Sequence, residues 1–139
     1  MQNSLFSKRN IYSIITTYQT DLNKFVKILK SHKSNFLQVI IVNNSPEVDF
    51  SKFRSKRVML INNPDNFGLS SACNIGIKAA KKQGAKMVAL FDQDTELPNN
   101  FTQQMLHFGN QYQGDKPVAV YSPIFHNHVI NEISKHIIF

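Results

Sequence analysis

Residues 87–95 read Met87-Val88-Ala89-Leu90-Phe91-Asp92-Gln93-Asp94-Thr95, an apolar run that ends at two carboxylates one residue apart. Residues i and i+2 of an extended chain point the same way, so Asp92 and Asp94 can face one ligand together. Carboxylate oxygens suit Mg²⁺ and Mn²⁺, and Mg²⁺ is usually held by one or two carboxylates together with the phosphates of a substrate. The alternative is a strand-to-turn corner, where Asp often caps exposed backbone groups. The rest of the sequence has to decide between a cation site and a turn.

The overall composition is that of a folded domain. The chain has 139 residues, of which 42% are hydrophobic and 18% charged, and this balance predicts a single domain over residues 1–139 with a real core. Cys73 is the single cysteine, which excludes an internal disulfide and favours a reducing compartment. No stretch approaches the roughly 20 apolar residues that span a bilayer, and residues 1–10 lack the apolar core of a signal peptide. We therefore expect a cytoplasmic protein.

Basic residues outnumber acidic ones and give a formal net charge of +7 at pH 7. Most of them fall at helical spacing opposite apolar positions, which is typical of solvated helix faces. Attraction to phosphate or to an anionic membrane surface is the alternative, and the second would place the protein at the inner face of the cell membrane. Nucleic acid is not an expected partner, because the sequence contains no nucleic-acid-binding motif and its aromatic residues occupy core spacings.

Strands in this chain are predicted from short apolar runs that stop at clusters of turn-forming residues. These runs occupy residues 12–16, 38–42, 58–61, 87–91 and 118–121. They alternate with amphipathic helical segments and are apolar on both faces. This pattern predicts an α/β protein, a three-layer sandwich with a mainly parallel sheet.

Three helices are predicted between these strands. The first begins at Leu22, with an apolar face that also contains Phe25, Val26 and Leu29. The second runs from Ser70 to about Gln83, with Ser70 or Ser71 as its cap and Gly84 just past its end. The third begins near Asn99, and its predicted buried face contains Phe101, Met105, Phe108 and Tyr112.

Polar residues follow four of the predicted strands. They are Thr16-Thr17-Tyr18, Asn43-Asn44-Ser45, Asn62-Asn63 and Asp92-Gln93-Asp94. Ligands of parallel α/β sheets bind beyond the carboxyl ends of the strands. Four polar strand ends together therefore predict one shared polar crevice, which favours a binding site over an ordinary turn at residues 92–94.

These motifs, together with the run from Asn66 to Ile77, resemble the nucleotide-sugar-binding half of family 2 glycosyltransferases, which have the GT-A fold. Asp92-Gln93-Asp94-Thr95 and the Asn-x-Gly-x-x-x-Ala-x-Asn-x-Gly pattern of residues 66–76 are most similar to the bacterial rhamnosyltransferase branch. The resemblance covers about residues 11–125. It implies metal-dependent transfer of a sugar from a nucleoside diphosphate donor, dTDP-rhamnose or a UDP-sugar, to a glycan or lipid-linked acceptor in bacterial surface polysaccharide synthesis.

The resemblance also implies roles for individual residues on the donor side. It places the donor base near Thr16, Thr17 and Tyr18, with Asn43 at the position that hydrogen-bonds the base, where family members often have Asp. A plain turn is the alternative for Asn43 and Asn44. Residues beside the base and the ribose-phosphate would include Asn66, Gly68 and Asn74.

The resemblance also implies roles for the residues of the acidic motif. Asp92 would face the ribose or a metal-bound water, Asp94 would coordinate Mg²⁺ or Mn²⁺ with Asp92 beside it, and Gln93 would contact the donor sugar. Many relatives have Arg where this chain has Cys73, so the start of the second helix would have to supply backbone N–H donors to an anion instead. A capped surface helix is the alternative there. Cys73 itself is expected to be a small buried residue and not a nucleophile.

No catalytic base is assigned. In the resembled family the general base is a carboxylate in the second half of the domain, and beyond Glu96 this chain has only Asp115 and Glu132 as acids. The histidines considered are His107, His126, His128 and His136, and the sequence of residues 126–128 is typical of a surface loop. We expect an amino-terminal, donor-binding fragment of a larger transferase or a truncated gene product.

Two other functions use the same residues. One is a nucleotide-sugar-binding remnant that keeps the donor pocket without turnover. The other is a haloacid dehalogenase-like phosphatase, because Phe91-Asp92-Gln93-Asp94-Thr95 also resembles that family's motif. Gly is absent before Thr95, however, and three predicted strands precede a motif that normally ends the first strand.

Overall fold

The computed structural model describes residues 10–116 and 118–123, together with the backbone of residues 126–127 and 132–133. Helices and strands alternate along the chain. In order they are β1 (Ile11–Thr17), α1 (Leu22–Asn35), β2 (Gln38–Asn43), a 3₁₀ turn (Ser51–Phe53), β3 (Val58–Asn62), α2 (Leu69–Lys82), β4 (Met87–Asp92), α3 (Phe101–Gln111), β5 (His126–Asn127) and β6 (Glu132–Ile133).

The sheet has four parallel strands in the order β3-β2-β1-β4. Strands β5 and β6 pair antiparallel with each other in a separate ribbon. Helix α2 covers one face of the sheet, while α1 and α3 cover the other. The predicted three-layer α/β sandwich with a parallel sheet is therefore confirmed.

Both faces of the two central strands are buried, which explains their continuous apolar sequences. Ile14, Ile40 and Val42 pack with α2 on one face. On the other face Ile15 and Ile41 pack with residues of α1 and with an edge-to-face aromatic cluster of Phe25, Phe50 and Phe53. Strands covered on two sides lose the polar alternation of a half-exposed sheet, as the sequence indicated.

Helix α2 lies very close to the sheet at Gly76. A Cβ atom at this position would stand 2.5 Å from Cγ2 of Ile14 and 3.2 Å from Cγ2 of Val42. Both partners are side chains of central strands that are fully buried. Gly76 is therefore needed for helix–sheet contact, not for backbone freedom.

The first turn of α2 differs from the prediction. Its N-cap is Gly68, with φ of 78°, and no side chain caps the helix, so neither Ser70 nor Ser71 has the predicted capping role. Glycine adopts this positive φ without steric cost, which lets the chain turn directly into the helix. At the other end Gly84 lies just past α2, as predicted, and has φ of 86°.

Three further predictions about packing are wrong. Residues 118–121 form no strand, because an apolar groove of about 430 Å³ lies between this segment and β4, and Tyr121 packs instead on Gly109 of α3. Phe108 is 65% exposed and Tyr112 49% exposed, since α3 is covered mainly through Phe101 and Leu106. Val26 of α1 is also exposed.

Gly76→Ala should lower the free energy of unfolding by about 1–3 kcal/mol, because the added methyl group overpacks a rigid contact with Ile14. Urea denaturation measures the change. Gly109→Ala in α3 is the matched control, since its Cβ would meet Tyr121 at an ordinary 3.4 Å and alanine favours a helix. A Gly76→Ala protein as stable as Gly109→Ala would contradict this account of α2 packing.

Candidate functional site

The strand register brings the predicted polar strand ends together at one edge of the sheet. Thr16 pairs with Asp92, Thr17 with Asn43, and Asn43 with Asn62. The chain leaves β1 toward β2 and β3 on one side and returns to β4 on the other side. The carboxyl ends of β1 and β4 are therefore the topological switch point, where open parallel sheets bind their ligands.

A cleft of about 410 Å³ opens at this switch point. It is lined by Thr16, Tyr18, Asn44, Asn66, Gly68, Leu69, Asp92, Gln93 and Asp94. These residues come from the ends of three strands and from the loop before α2. The set includes every predicted site residue except Thr17, Asn43 and Asn74. It contains two carboxylates and no Lys, Arg or His among the lining residues that the structure describes.

Thr17 and Asn43 are buried beneath the cleft and hold its floor. The Asn43 amide nitrogen donates to the carbonyls of Ser45 and Val48, each at 3.0 Å, and its side-chain oxygen accepts from the Ser45 N–H at 3.0 Å. The Thr17 hydroxyl lies 3.4 Å from the same oxygen. Asn43 thus folds the loop after β2, as in the turn alternative. Asn74 is an exposed residue of α2 that does not line the cleft.

Asn44, which belongs to the predicted polar strand ends but was given no role of its own, lines the cleft. Its amide nitrogen donates to the Gly68 carbonyl at 3.3 Å, and its oxygen accepts from the Asn63 amide at 2.7 Å. These bonds connect the ends of β2 and β3 to the loop before α2. Asn43 is the last residue of β2 and is buried by its bonds to Ser45 and Val48, whereas Asn44 follows the strand and lines the cleft. Its place among the polar residues after β2 was the available signal.

The amino end of α2 is open toward the cleft. Gly68 and Leu69 line it, and the N–H of Gly68 is turned back onto the Asn66 side-chain oxygen at 2.9 Å. No side chain caps the helix, and within the described chain no protein acceptor meets the N–H groups of residues 69–71. Unpaired N–H groups and the helix dipole make such an end attractive to anions.

The acidic motif presents both carboxylates to the same cleft. Asp92 and Asp94 are exposed, and in the part of the chain that the structure describes neither forms an ion pair. The N–H of Thr95 donates to the Asp92 carbonyl at 3.2 Å and closes the turn. Among the described residues no group of three or more His, Cys, Asp or Glu is placed to hold a metal ion. The cleft therefore offers two carboxylates without a third protein ligand of these types.

Gln93 joins the two sides of the cleft. Its side-chain oxygen accepts from the Tyr18 N–H at 2.7 Å and from the Thr20 hydroxyl at 2.6 Å. Between them Gln19 has a positive φ of 48°, and its N–H donates to the Ser45 hydroxyl oxygen at 2.6 Å. The loop after β1 is thus tied to the acidic motif by Gln93 and to the loop after β2 by Ser45. Contact between Gln93 and a donor sugar stays a prediction.

A buried histidine supports the acidic motif from behind. His32 of α1 is fully buried, with Nε2 at 2.9 Å from the Thr95 carbonyl and Nδ1 at 2.8 Å from the Ser13 hydroxyl. A carbonyl only accepts, so Nε2 carries the proton and Nδ1 accepts from Ser13. Burial lowers the pKa of His32, and the hydrogen bond to Thr95 opposes this only in part.

Sequence reasoning considered other histidines and missed this one. His107 lies on the exposed side of α3 near Gln111. His128 and His136 lie outside the described residues, and of His126 and Glu132 only the backbone is described. The signal for His32 was its place in the apolar stripe of α1, three residues after Leu29. A polar residue at such a position needs hydrogen-bond partners in the core.

Cys73 is half-buried on α2, near the acidic motif. Burial raises the pKa of its thiol, and the negative charge of Asp92 raises it further. Because the thiolate is the nucleophilic form, both effects disfavour a nucleophilic role for Cys73. The residue was expected to be buried and is only half-buried.

None of the helices that the structure describes is long and apolar enough to cross a membrane.

The sequence model of Glycosyl transferase family 2 matches residues 13–138. The chain belongs to this family. It is also 27% identical over 118 residues to the dTDP-rhamnosyl transferase RfbF of Shigella flexneri. That alignment covers 84% of this chain and 38% of the relative, so the chain spans less than half of that protein. The predicted family and the GT-A type of α/β fold are confirmed, and the similarity to a dTDP-rhamnosyl transferase agrees with the resemblance to the rhamnosyltransferase branch. Membership in the family favours a glycosyltransferase over the phosphatase alternative.

Lowering the pH should destabilise the protein through His32. Its pKa is lowered in the folded state, so below the ordinary value of 6.5 the unfolded chain takes up a proton that the folded chain does not. The stabilisation is complete above pH 6.5 and is lost as the pH falls through the folded-state pKa. Urea denaturation between about pH 7.5 and pH 5.5 should show a steeper loss in wild type than in His32→Gln, which has no titrating ring. If the free energy of unfolding fell equally with pH in wild type and His32→Gln, this role of His32 would be contradicted.

Proposed function

We propose that residues 1–139 are the donor-binding half of a metal-dependent glycosyltransferase. The donor would be a nucleoside diphosphate sugar, dTDP-rhamnose or a UDP-sugar, and the acceptor a glycan or a lipid-linked glycan in bacterial surface polysaccharide synthesis. The observation that carries the proposal is one cleft that combines the two carboxylates with the open amino end of α2. Membership in the family and the similarity to a dTDP-rhamnosyl transferase support the choice of donor.

Electrostatics support the requirement for a divalent cation. A diphosphate in this cleft would lie beside Asp92 and Asp94, and no basic side chain is among the lining residues described. Like charges at contact distance repel strongly when partly shielded from water. Mg²⁺ or Mn²⁺ fits this donor set, because such a cation takes one or two carboxylates and completes its shell with water and substrate phosphates. When bound, the cation supplies Lewis-acid stabilisation of the leaving diphosphate.

The chain's own groups would position the donor around that diphosphate. The N–H groups of residues 69–71 at the start of α2 would bind phosphate oxygens where relatives have an Arg in place of Cys73. The half-exposed ring of Tyr18 offers the base a surface for stacking, worth about 1–3 kcal/mol for a nucleic-acid base on an aromatic ring. Asn43 would act on the base through the loop that it folds, and Thr16 and Asn44 would bound the pocket.

Acceptor binding and proton removal would come from residues outside the cleft described. His107 and Asp115 are exposed and do not line it. The chain spans 38% of its dTDP-rhamnosyl transferase relative, which leaves room for an acceptor half in a longer protein. A nucleotide-sugar-binding remnant without turnover is the second candidate, since it would keep the same donor-side residues. We propose a cytoplasmic location, with the basic helix faces near the anionic inner surface of the membrane.

Binding of Mn²⁺ should depend on the nucleotide. Calorimetry should detect weak binding of Mn²⁺ alone and tighter binding with dTDP present, because two carboxylates fill only part of the coordination shell. Asp94→Asn should abolish the gain, and at about 100 times the dissociation constant the nucleotide should stabilise wild type by roughly 2.7 kcal/mol. Glu47→Gln is the matched control, since it removes an exposed carboxylate outside the cleft. Equal metal affinity in wild type and Asp94→Asn would exclude Asp94 from the site.

The chain by itself should transfer no sugar at an appreciable rate. Acceptor deprotonation by a general base typically contributes about 10² to 10⁴ in rate, and positioning of the acceptor adds more. Slow donor hydrolysis should be the residual reaction and should be lost in Asp92→Asn. Incubation with labelled dTDP-rhamnose and glycan or lipid-linked acceptors measures both products. Efficient glycoside formation would show that residues 1–139 contain a working base.

A further inference from the structure

Helix α1 supplies three hydrogen bonds to the backbone of the loop after β4, in addition to the bonds that the Gln93 side chain accepts from Tyr18 and Thr20 and the bond from the Phe101 N–H to the Pro98 carbonyl. Within residues 93–98 the backbone makes one bond to the strand end, from Thr95 N–H to the Asp92 carbonyl. Three other backbone groups of the loop are bonded to α1 side chains. His32 donates to the Thr95 carbonyl at 2.9 Å, Ser31 Oγ accepts from the Leu97 N–H at 3.1 Å, and Asn35 donates to the Pro98 carbonyl at 2.8 Å. We call Ser31, His32 and Asn35 the α1 clamp.

The clamp matters because β4 has a neighbour on one side only among the described strands. Its loop therefore receives no support from a further strand in that part of the chain. An ion pair between Lys27 and Glu96 at 2.8 Å also spans α1 and the loop, but the two side chains are 74% and 48% exposed. Exposed pairs of this kind contribute little. The buried hydrogen bonds of the clamp are the stronger constraint.

Of the three clamp residues, His32 binds the loop closest to the carboxylates, because its partner Thr95 directly follows Asp94. Its ring is held on two sides, by the Ser13 hydroxyl of β1 and edge-to-face by Phe91 of β4 at 4.7 Å between ring centroids. The ring also stacks near Phe36 at 6.2 Å. Packing alone would be satisfied by an apolar side chain of similar size. An apolar side chain would lack both the N–H donor to the Thr95 carbonyl and the acceptor for the Ser13 hydroxyl, and only the first of these bonds reaches the loop.

We infer that His32 is a positioning residue for the acidic motif, which fixes Asp94 and Asp92 in the geometry that binds a cation with a diphosphate. This inference rests on the proposed function for its ligand, while the fixing of the loop is a property of the chain alone. Functional carboxylates need positions fixed to about 0.5 Å, and a rigid helix is a better support than a loop. His32 contacts neither the cation nor the donor and acts through the Thr95 carbonyl.

Two variants separate positioning from packing. His32→Gln keeps an amide N–H close to the position of Nε2 and can still donate to Thr95. His32→Leu fills the space between Phe36 and Phe91 but has no donor. In the ligand-free chain, hydrogen exchange at the Thr95 and Leu97 amides should be about tenfold faster in His32→Leu, the effect of losing the bond to Thr95. Ser13→Ala removes only the other hydrogen bond of the ring and should leave the exchange of these amides near the wild-type rate. Exchange should stay near the wild-type rate in His32→Gln, and the amides of β1 should not change in either variant.

The same proteins are then compared for nucleotide binding. The gain in dTDP affinity on adding Mn²⁺ should fall about tenfold in His32→Leu and be largely retained in His32→Gln. Unchanged loop exchange in His32→Leu, or faster exchange across the whole sheet, would overturn the inference, because His32 would then be an ordinary core residue. A wild-type chain without any gain from Mn²⁺ would contradict the proposed function, and the exchange comparison would still decide whether His32 holds the loop.

Discussion

Parallel pairing of β1 with a strand on each side is the constraint on which the rest of the structure depends. Because β2 and β4 both run parallel to β1, the carboxyl ends of all the sheet strands lie at one edge. The register then sets Thr16 beside Asp92 and Thr17 beside Asn43. A shift of one residue would turn every side chain of a strand to the other face, so the buried core and the polar edge are specified together.

The polar edge requires amide side chains as well as acids. Residues just past the strand ends leave the sheet ladder, and their buried backbone groups need other partners. Asn43 and Asn44 supply such partners by donating to the carbonyls of Ser45, Val48 and Gly68, and the Asn63 amide in turn donates to the Asn44 side-chain oxygen. An unsatisfied buried polar group would cost about 1–3 kcal/mol, so this network explains why asparagine recurs here independently of any ligand. Structural and ligand-facing asparagines therefore look alike in the sequence.

The sequence predicted the parts of the fold in which local pattern and burial agree. Strands β1 to β4 and the three helices were found because apolar runs and helical periodicity matched the layers that cover them. The segment 118–121 was mistaken for a strand because it is a short apolar run, although Tyr121 packs on Gly109 of α3 and Val120 is 78% exposed. A local pattern does not distinguish such a segment from one paired in a sheet. Phe108 was placed in the core for a similar reason, since periodicity does not tell which flank of a helix is covered.

The site residues that could be predicted from the sequence are those that lie at the ends of strands. Asp92, Gln93 and Asp94 come together with Tyr18 and Gly68 because the topology requires it. His32 could not be found from a motif, because its importance arises from a carbonyl 63 residues away in the chain. The sequence did not show that Asn43 would be buried below the cleft and Asn44 would line it. That difference depends on the direction of each side chain at the end of β2, which the following turn can alter.

The side-chain oxygen of Gln93 has a consequence for the entropy of binding. It accepts two hydrogen bonds from the loop after β1, at Tyr18 and Thr20, so the two walls of the cleft are coupled before any ligand arrives. Ordering a flexible side chain on binding typically costs about 0.5–1.5 kcal/mol, and ordering a loop costs more. Here that ordering is completed during folding. A donor would therefore bind a cleft that is already ordered. Its affinity would depend on its contacts with the cleft and would be reduced little by the free-energy cost of ordering the loop.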